Sequence, residues 1–404
     1  MIGITARIAL CTLGLLLFAA GVTAAETKYG PGVTDTSIRV GHTNPYSVPL
    51  SAYGAIGRGH GAYFDMINAQ GGINGRTIEF VTLDDAYSPP KTVEQTRRLV
   101  EKEEVLLLFG MSGTPTNTAI HKYVNAKKVP HLFLLTGASK WGQPEAYPWT
   151  MGWQPPYSVE AKVYAKYILD TVPDPQIAIL YQNDDYGKDY INGFKEGLGD
   201  AASELIIAET TYQPMDPTID AQILELANSG ANVFFNVSVS KFASQSIRRV
   251  HDIGWQPLHI LNNVSTSVEA VLAIAGLDKS VGLVSSAYVK DPTDPQWADD
   301  NDVLEWSAWM DQYNPDADKR DVFNVYGYAL AATLVKVLEQ CGDDLTRENV
   351  IRQAANLSSV DIPMLLPGIA VSTAADDFYP IQQLRLMRFN GETWDLFGEL
   401  IEVE

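Results

Sequence analysis

Residues 105–135 read VLLLFGMSGTPTNTAIHKYVNAKKVPHLFLL, and that stretch decides the fold class. Val105 to Phe109 is an unbroken apolar run, as a strand covered on both faces requires. A turn of Gly, Ser and Thr follows, then a helical segment from about Thr116 to Lys127, then a second apolar run from His131 to Leu135. Strand, helix and strand in that order make a βαβ unit, in which the helix carries the chain back so that the two strands lie parallel.

The same alternation extends in both directions. Upstream, Ile38-Arg39-Val40-Gly41 reads as a strand, Ala52 to Gln70 as a helix ended by Gly71-Gly72, and Thr77 to Leu83 as a second strand. Pro89 and Pro90 open the next helix after Ser88, which runs to about Glu104. Downstream, a Trp- and Pro-rich passage from Trp149 to Pro156 interrupts the pattern, and the alternation restarts. Strands are expected at Ile177 to Tyr181, Leu205 to Ala208, Val233 to Asn236 and His259 to Leu261. Helices are expected at Val159 to Leu169, Lys188 to Leu198, Ile219 to Ala227 and Phe242 to Ile253. Further helices follow near Leu304 to Tyr313, Phe323 to Glu339 and Asn349 to Ala354. Asn390-Gly391, between Gln383 to Phe389 and Trp394 to Phe397, signals a closing antiparallel hairpin. The fold class is α/β, with two sheets of one kind.

The composition agrees. With 404 residues, 46% hydrophobic and 19% charged, the chain can bury a sizeable core and is too long for a single one, so two large lobes are the simplest partition. Lys and Arg total 29 against 49 Asp and Glu, and the formal charge of -20 repels phosphate backbones and anionic lipid surfaces, which argues against nucleic-acid partners. Cys11 and Cys341 supply neither a disulfide framework nor a thiolate metal site. The six histidines show no pair at metal-ligand spacing, and Asp299-Asp300-Asn301-Asp302 lacks the glycine and terminal glutamate of a calcium loop, so no metal or other cofactor is expected. Residues 1–25 carry one charge, Arg7, ahead of apolar Ile8 to Ala20 and small Val22-Thr23-Ala24-Ala25. This reads as a secretory signal peptide whose apolar run is too short to span a bilayer, and it places the mature chain in the periplasm.

Open α/β sheets bind ligands beyond the carboxyl ends of their strands, so function is sought in the loops there. They are Asn44 to Ser51, Gly110 to Thr116, Thr136 to Trp141, Gln182 to Tyr186, Val237 to Lys241 and Asn262 to Ser267. Their Ser, Thr, Asn and Gly supply hydroxyls, amides and free backbone N–H groups but hardly any catalytic acid, base or nucleophile. That composition favours binding over chemistry, and no enzyme activity is expected.

At these loops the sequence resembles the periplasmic solute-binding proteins of ABC importers of the branched-chain amino acid (Leu/Ile/Val-binding) type. Ser47-x-Pro49 with Tyr53-Gly54, the run Ile67-Asn68-Ala69-Gln70-Gly71-Gly72-Ile73-Asn74-Gly75, and Asp84-Asp85 before Pro89 fall in the family's order and spacing. So do Gly110 with Ser112-Gly113-Thr114, Gly137-Ala138-Ser139, and Tyr186-Gly187 opening a helix. The resemblance implies a type I periplasmic binding protein fold: two doubly wound α/β lobes joined by three crossover strands. The lobes would be 26–152 with 290–360, and 153–289 with 361–404, with crossovers near Trp149 to Gln154, Tyr288 to Pro292 and Pro363 to Pro367. It further implies a monomer that closes on a small ligand and hands it to permease subunits in the membrane.

By the same resemblance, the positions that would hold a ligand carboxylate are Ser112, Gly113, Gly137 and Ser139, with Ala138 between the last two and Ser47 a further possible contact. Tyr53, Tyr186 and Phe323 would supply aromatic contacts, and Val239 stands where the family's side-chain pocket has an aromatic. The acid that pairs with a ligand ammonium in amino-acid binders aligns with Asn263, beside Asn262. Asn cannot neutralise a cation, so either Asp184 or Asp185 substitutes or the ligand lacks the amine. A hydrophobic or aromatic carboxylate, or an amide, is therefore expected over leucine. Tyr87 occupies a position where relatives with a small disulfide have cysteine, so that bridge is absent.

The residues argue against two other functions. Gly57-x-Gly59-x-x-Ala62 matches the letters of a dinucleotide fingerprint but begins more than ten residues after its strand, outside the tight turn the fingerprint needs. An exported hydrolase needs a Gly-x-Ser-x-Gly elbow, which Gly110-Met111-Ser112-Gly113-Thr114 does not supply. A ligand-sensing subunit docking on a membrane receptor would use the same cleft as an importer's receptor and differ only in partner.

Overall fold

The computed structural model describes residues 28–402, so the proposed signal peptide and Cys11 lie outside the described residues. Strands β1 (Lys28–Tyr29), β2 (Ser37–Asn44), β3 (Thr77–Asp84), β4 (Leu107–Phe109), β5 (His131–Leu134) and β6 (Thr150–Gly152) come first. They are followed by β7 (Ile177–Gln182), β8 (Ile206–Tyr212), β9 (Val233–Val237), β10 (Leu258–Leu261) and β11 (Val284–Ala287). The last are β12 (Asp344–Leu345), β13 (Gln383–Phe389) and β14 (Trp394–Glu402). One sheet has the order β3-β2-β4-β5-β6 and is parallel throughout. The other has the order β14-β13-β11-β10-β9-β7-β8, parallel from β11 to β8 and antiparallel in the terminal hairpin. A short parallel pair, β1 with β12, ties the start of the described chain to its late segment.

The apolar runs explain these sheets. Leu107, Leu108 and Phe109 are all buried, as are all four residues of β5, because helices cover both faces. Fully burying one such side chain contributes roughly 1.5–3 kcal/mol. Val105 and Leu106 precede β4 as buried residues, and the Leu106 N–H continues the ladder to Arg39 O at 2.9 Å.

The helix Gly54–Ala69 packs on the long helix Phe323–Cys341, which places the late helices with the first sheet. They cross closely because Gly59 faces Gly327: a Cβ on Gly327 would lie 2.7 Å from Ile56 O. Of the glycines that match the letters of a nucleotide fingerprint, Gly59 thus serves helix packing, while Gly57 makes room for the Tyr46 and His42 side chains. The chain passes between the sheets after β6, and twice more side by side, where Val289 bridges Leu365 and the Lys290 N–H donates to Met364 O at 2.8 Å. The Asp84-Asp85 pair stabilises the first lobe's loops: Asp84 accepts from the Ser47 hydroxyl at 2.8 Å, and buried Asp85 accepts from Thr43 and Thr92.

No helix among the described residues is long and apolar enough to cross a membrane.

Candidate functional site

Each parallel sheet reverses its strand order at one place, between β2 and β4 in the first and between β7 and β9 in the second. Adjacent loops run in opposite directions there and leave a crevice. Tyr53 lies beyond β2, Ser112 beyond β4, Tyr186 beyond β7 and Val239 beyond β9, and all four line one cavity. Gly113 and Phe323 line it too.

Tyr53 closes the cavity from the first lobe. Its hydroxyl accepts the Ser240 N–H at 3.0 Å and donates to Val264 O at 3.2 Å, both in the second lobe, while its ring lies 5.0 Å from that of Phe323. Tyr186 opens the helix Asp185–Leu198, capped by the Asp184 side chain, and its hydroxyl accepts from Asn262 Nδ2 at 2.5 Å. Asp184 is therefore committed to the Tyr186 and Gly187 amides, and burial pushes its carboxyl above the usual range.

Ser112 differs from these. It is 4% exposed, it lines the cavity at the start of the helix Thr114–Ala126, and its Oγ has no hydrogen-bond partner. A hydroxyl beside the free N–H groups of a helix start is an arrangement that can hold an anion without a cation, although Pro115 in this first turn contributes no N–H.

Other residues singled out from the sequence stand away from the cavity wall. Gly137, Ala138 and Ser139 lie behind the Tyr157 ring: a Cβ on Gly137 would be 2.3 Å from Pro155 O and 2.8 Å from that ring. The Ser139 N–H and hydroxyl both donate to Asp189 at 3.0 Å, and the hydroxyl meets Ser158 at 2.7 Å, so this loop ties the lobes together. Ser47 is spent on Asp84, and half-exposed Asp185 pairs with Lys140 at 2.7 Å across the cleft. Asn262 acts through Tyr186 and by accepting the Ser238 N–H. Asn263 is fully buried one residue behind the lining residue Val264.

The Asn263 N–H donates at 2.8 Å to Glu160, an acid that the loop-based reading overlooked. Glu160 also accepts from the Tyr164 and Tyr190 hydroxyls at 2.6 and 2.7 Å, and burial pushes its carboxyl up to about 7. A glutamate four residues before a tyrosine on a helix face that is otherwise apolar was the available signal. Tyr157, Tyr87, Tyr326 and Gln154 complete much of the wall. Tyr157 opens its helix as Tyr186 does, and Tyr326 follows Phe323 by one helical turn, so both could have been read from spacing.

Among the described residues no Asp, Glu, Lys, Arg or His lines the cavity. Ser112 therefore has no base beside it to activate it as a nucleophile, and a ligand ammonium would find no counter-charge.

The profile of the family described as periplasmic binding protein matches residues 37–393, and the chain belongs to that family. A Leu/Ile/Val-binding protein homolog of Brucella melitensis is 24% identical over 302 residues, covering 70% of this chain and 73% of its own. Among solved structures, a branched-chain amino acid ABC transporter protein from Thermus thermophilus with bound valine superposes with a TM-score of 0.81 at 14% identity, covering 92% of this chain and 98% of that one. A fatty acid ABC transporter substrate-binding protein from Thermomonospora curvata gives 0.80 at 20% identity, covering 94% and 95%. The fold is that of the type I periplasmic binding proteins.

Proposed function

We propose that the protein is an extracytoplasmic receptor of an ABC importer that captures a small carboxylate-bearing solute without a primary ammonium and delivers it to the membrane permease. The observation that carries the reading is the cavity itself: it spans both switch points, offers an unpartnered Ser112 hydroxyl at a helix start, and has an uncharged, tyrosine-rich wall. Structures of this fold include one holding valine and one serving fatty acid transport, so the scaffold suits solutes with and without an amine. On this reading residues 1–25 direct export, the chain works as a monomer, and the lobes 26–152 with 290–360 and 153–289 with 361–404 move as units. A ligand touching both lobes binds the closed state better than the open one and so shifts the population toward it.

The test is a thermal-shift screen of residues 26–404 against amino acids, amides and amine-free acids, with small-angle scattering to report closure. A ligand at 100 times its dissociation constant adds about 2.7 kcal/mol. Amine-free acids should raise the transition and compact the protein. Stabilisation by aliphatic amino acids alone would overturn the ligand reading, and a broad screen with neither stabilisation nor closure would overturn the receptor reading.

A further inference from the structure

We infer that the ligand carries, besides its carboxylate, a second and uncharged oxygen that Gln154 recognises; the inference rests on the carboxylate reading proposed above. Gln154 lies on the crossover between β6 and the helix Tyr157–Thr171, is 4% exposed, and lines the cavity. Its Nε2 is buried without a hydrogen-bond partner.

Three polar side chains of the wall are engaged with protein. The Tyr53 hydroxyl has two partners, Tyr186 has Asn262, and Thr114 Oγ1 meets Thr136 Oγ1 at 2.6 Å. Ser112 Oγ and Gln154 Nε2 are instead buried and unpaired, and both residues line the one cavity. A buried polar group without a partner costs about 1–3 kcal/mol, a penalty that a ligand removes by pairing with it.

The Gln154 amide is also held in place. Pro155 and Pro156 restrict the backbone that follows, the Tyr157 N–H donates to Gly137 O at 2.7 Å, and on the preceding side Trp153 Nε1 donates to Thr333 at 3.0 Å. A primary amide presents an N–H donor beside a carbonyl acceptor, which suits a carbonyl or hydroxyl oxygen. It cannot supply the counter-charge an ammonium needs. With the anion site at Ser112, the complementary class is a small oxo- or hydroxy-carboxylic acid with a hydrophobic remainder.

The experiment is calorimetric titration of the full mature chain with matched acids. 3-Phenylpropionate is compared with phenylpyruvate, phenyllactate, 3-(4-hydroxyphenyl)propionate and phenylalanine, and 4-methylpentanoate with its 2-oxo counterpart and leucine. At least one oxygenated member should bind about tenfold or more tightly than its parent, and Gln154→Leu and Gln154→Met should bring that ratio toward one. If the parents bind and no oxygenated member exceeds them, or if the amino member binds best, the inference is overturned. If the preference survives both substitutions, the role of Gln154 is overturned. If no acid of the series binds, the carboxylate reading itself fails. Should neither variant fold, the series on the unaltered chain decides alone.

Discussion

Ser112 and Ser139 begin as equals: each follows a strand of the first sheet, in a short run with glycine, at the carboxyl edge where ligands bind. Their surroundings separate them. Ser112 lines the cavity and its buried hydroxyl has no partner, whereas Ser139 spends its N–H and hydroxyl on Asp189 and Ser158 in the opposite lobe. The comparison teaches that residue type and strand position nominate a polar group for binding, and that the neighbours brought by the fold decide whether it meets a solute or the protein itself.

The largest test of this contrast is Gly137→Ala. Its Cβ would sit 2.3 Å from a backbone oxygen, which cannot step aside as a flexible side chain could. The crossover behind the cavity should be forced apart, lowering stability by about 3 kcal/mol in denaturant unfolding. Next is Glu160→Gln. Burial raises the folded-state value from 4.5 to about 7, so between those pH values the folded chain binds more protons than the unfolded one and this group's contribution to stability falls as pH rises. The variant should lack a drop of roughly 2–3 kcal/mol that the unaltered chain shows across that window. Superimposable stability–pH profiles would contradict the assignment.

The two serines then give opposite signatures. Ser139→Ala should cost about 1–2 kcal/mol in thermal unfolding, because the part-buried Asp189 loses a hydroxyl donor. Ser112→Ala should leave the ligand-free protein at least as stable, since its Oγ pairs with nothing, and weaken ligand binding about tenfold by calorimetry. If the two profiles exchanged, the contrast between the loops would be lost. The smallest effect belongs to Asp185→Asn. It removes a half-exposed ion pair with Lys140 worth about 0–1 kcal/mol, and ligand affinity should stay within about twofold.

Much of the fold was legible because the central strands are continuous apolar runs: β4, β5 and β9 are buried at every position. Edge strands were read short. β8 extends to Tyr212 where Ala208 was expected, and β14 to Glu402 where Phe397 was expected. An edge strand is paired on one side only, so Glu209, Thr210 and Thr211 or Glu399 can sit in it without an apolar signal. Of the residues that line the cavity, Tyr53, Ser112, Gly113, Tyr186, Val239 and Phe323 are legible from their loop positions or from resemblance. Tyr157 and Glu160 carry signals in helix position and spacing, whereas Gln154 lies on the crossover, where the sequence marks only packing.

The sequence by itself determined the alternation of strands and helices and the doubling of the sheet, since both rest on short-range periodicity and local turn chemistry, and its motifs carried the resemblance to the family. Only the tertiary structure decided which polar groups remain unpaired. Whether Ser112 or Ser139 lines the cavity, and whether an acid stands at the cavity wall or behind Asn263, depends on partners distant along the chain, and hydrogen bonds and burial are settled between such partners once the lobes are packed.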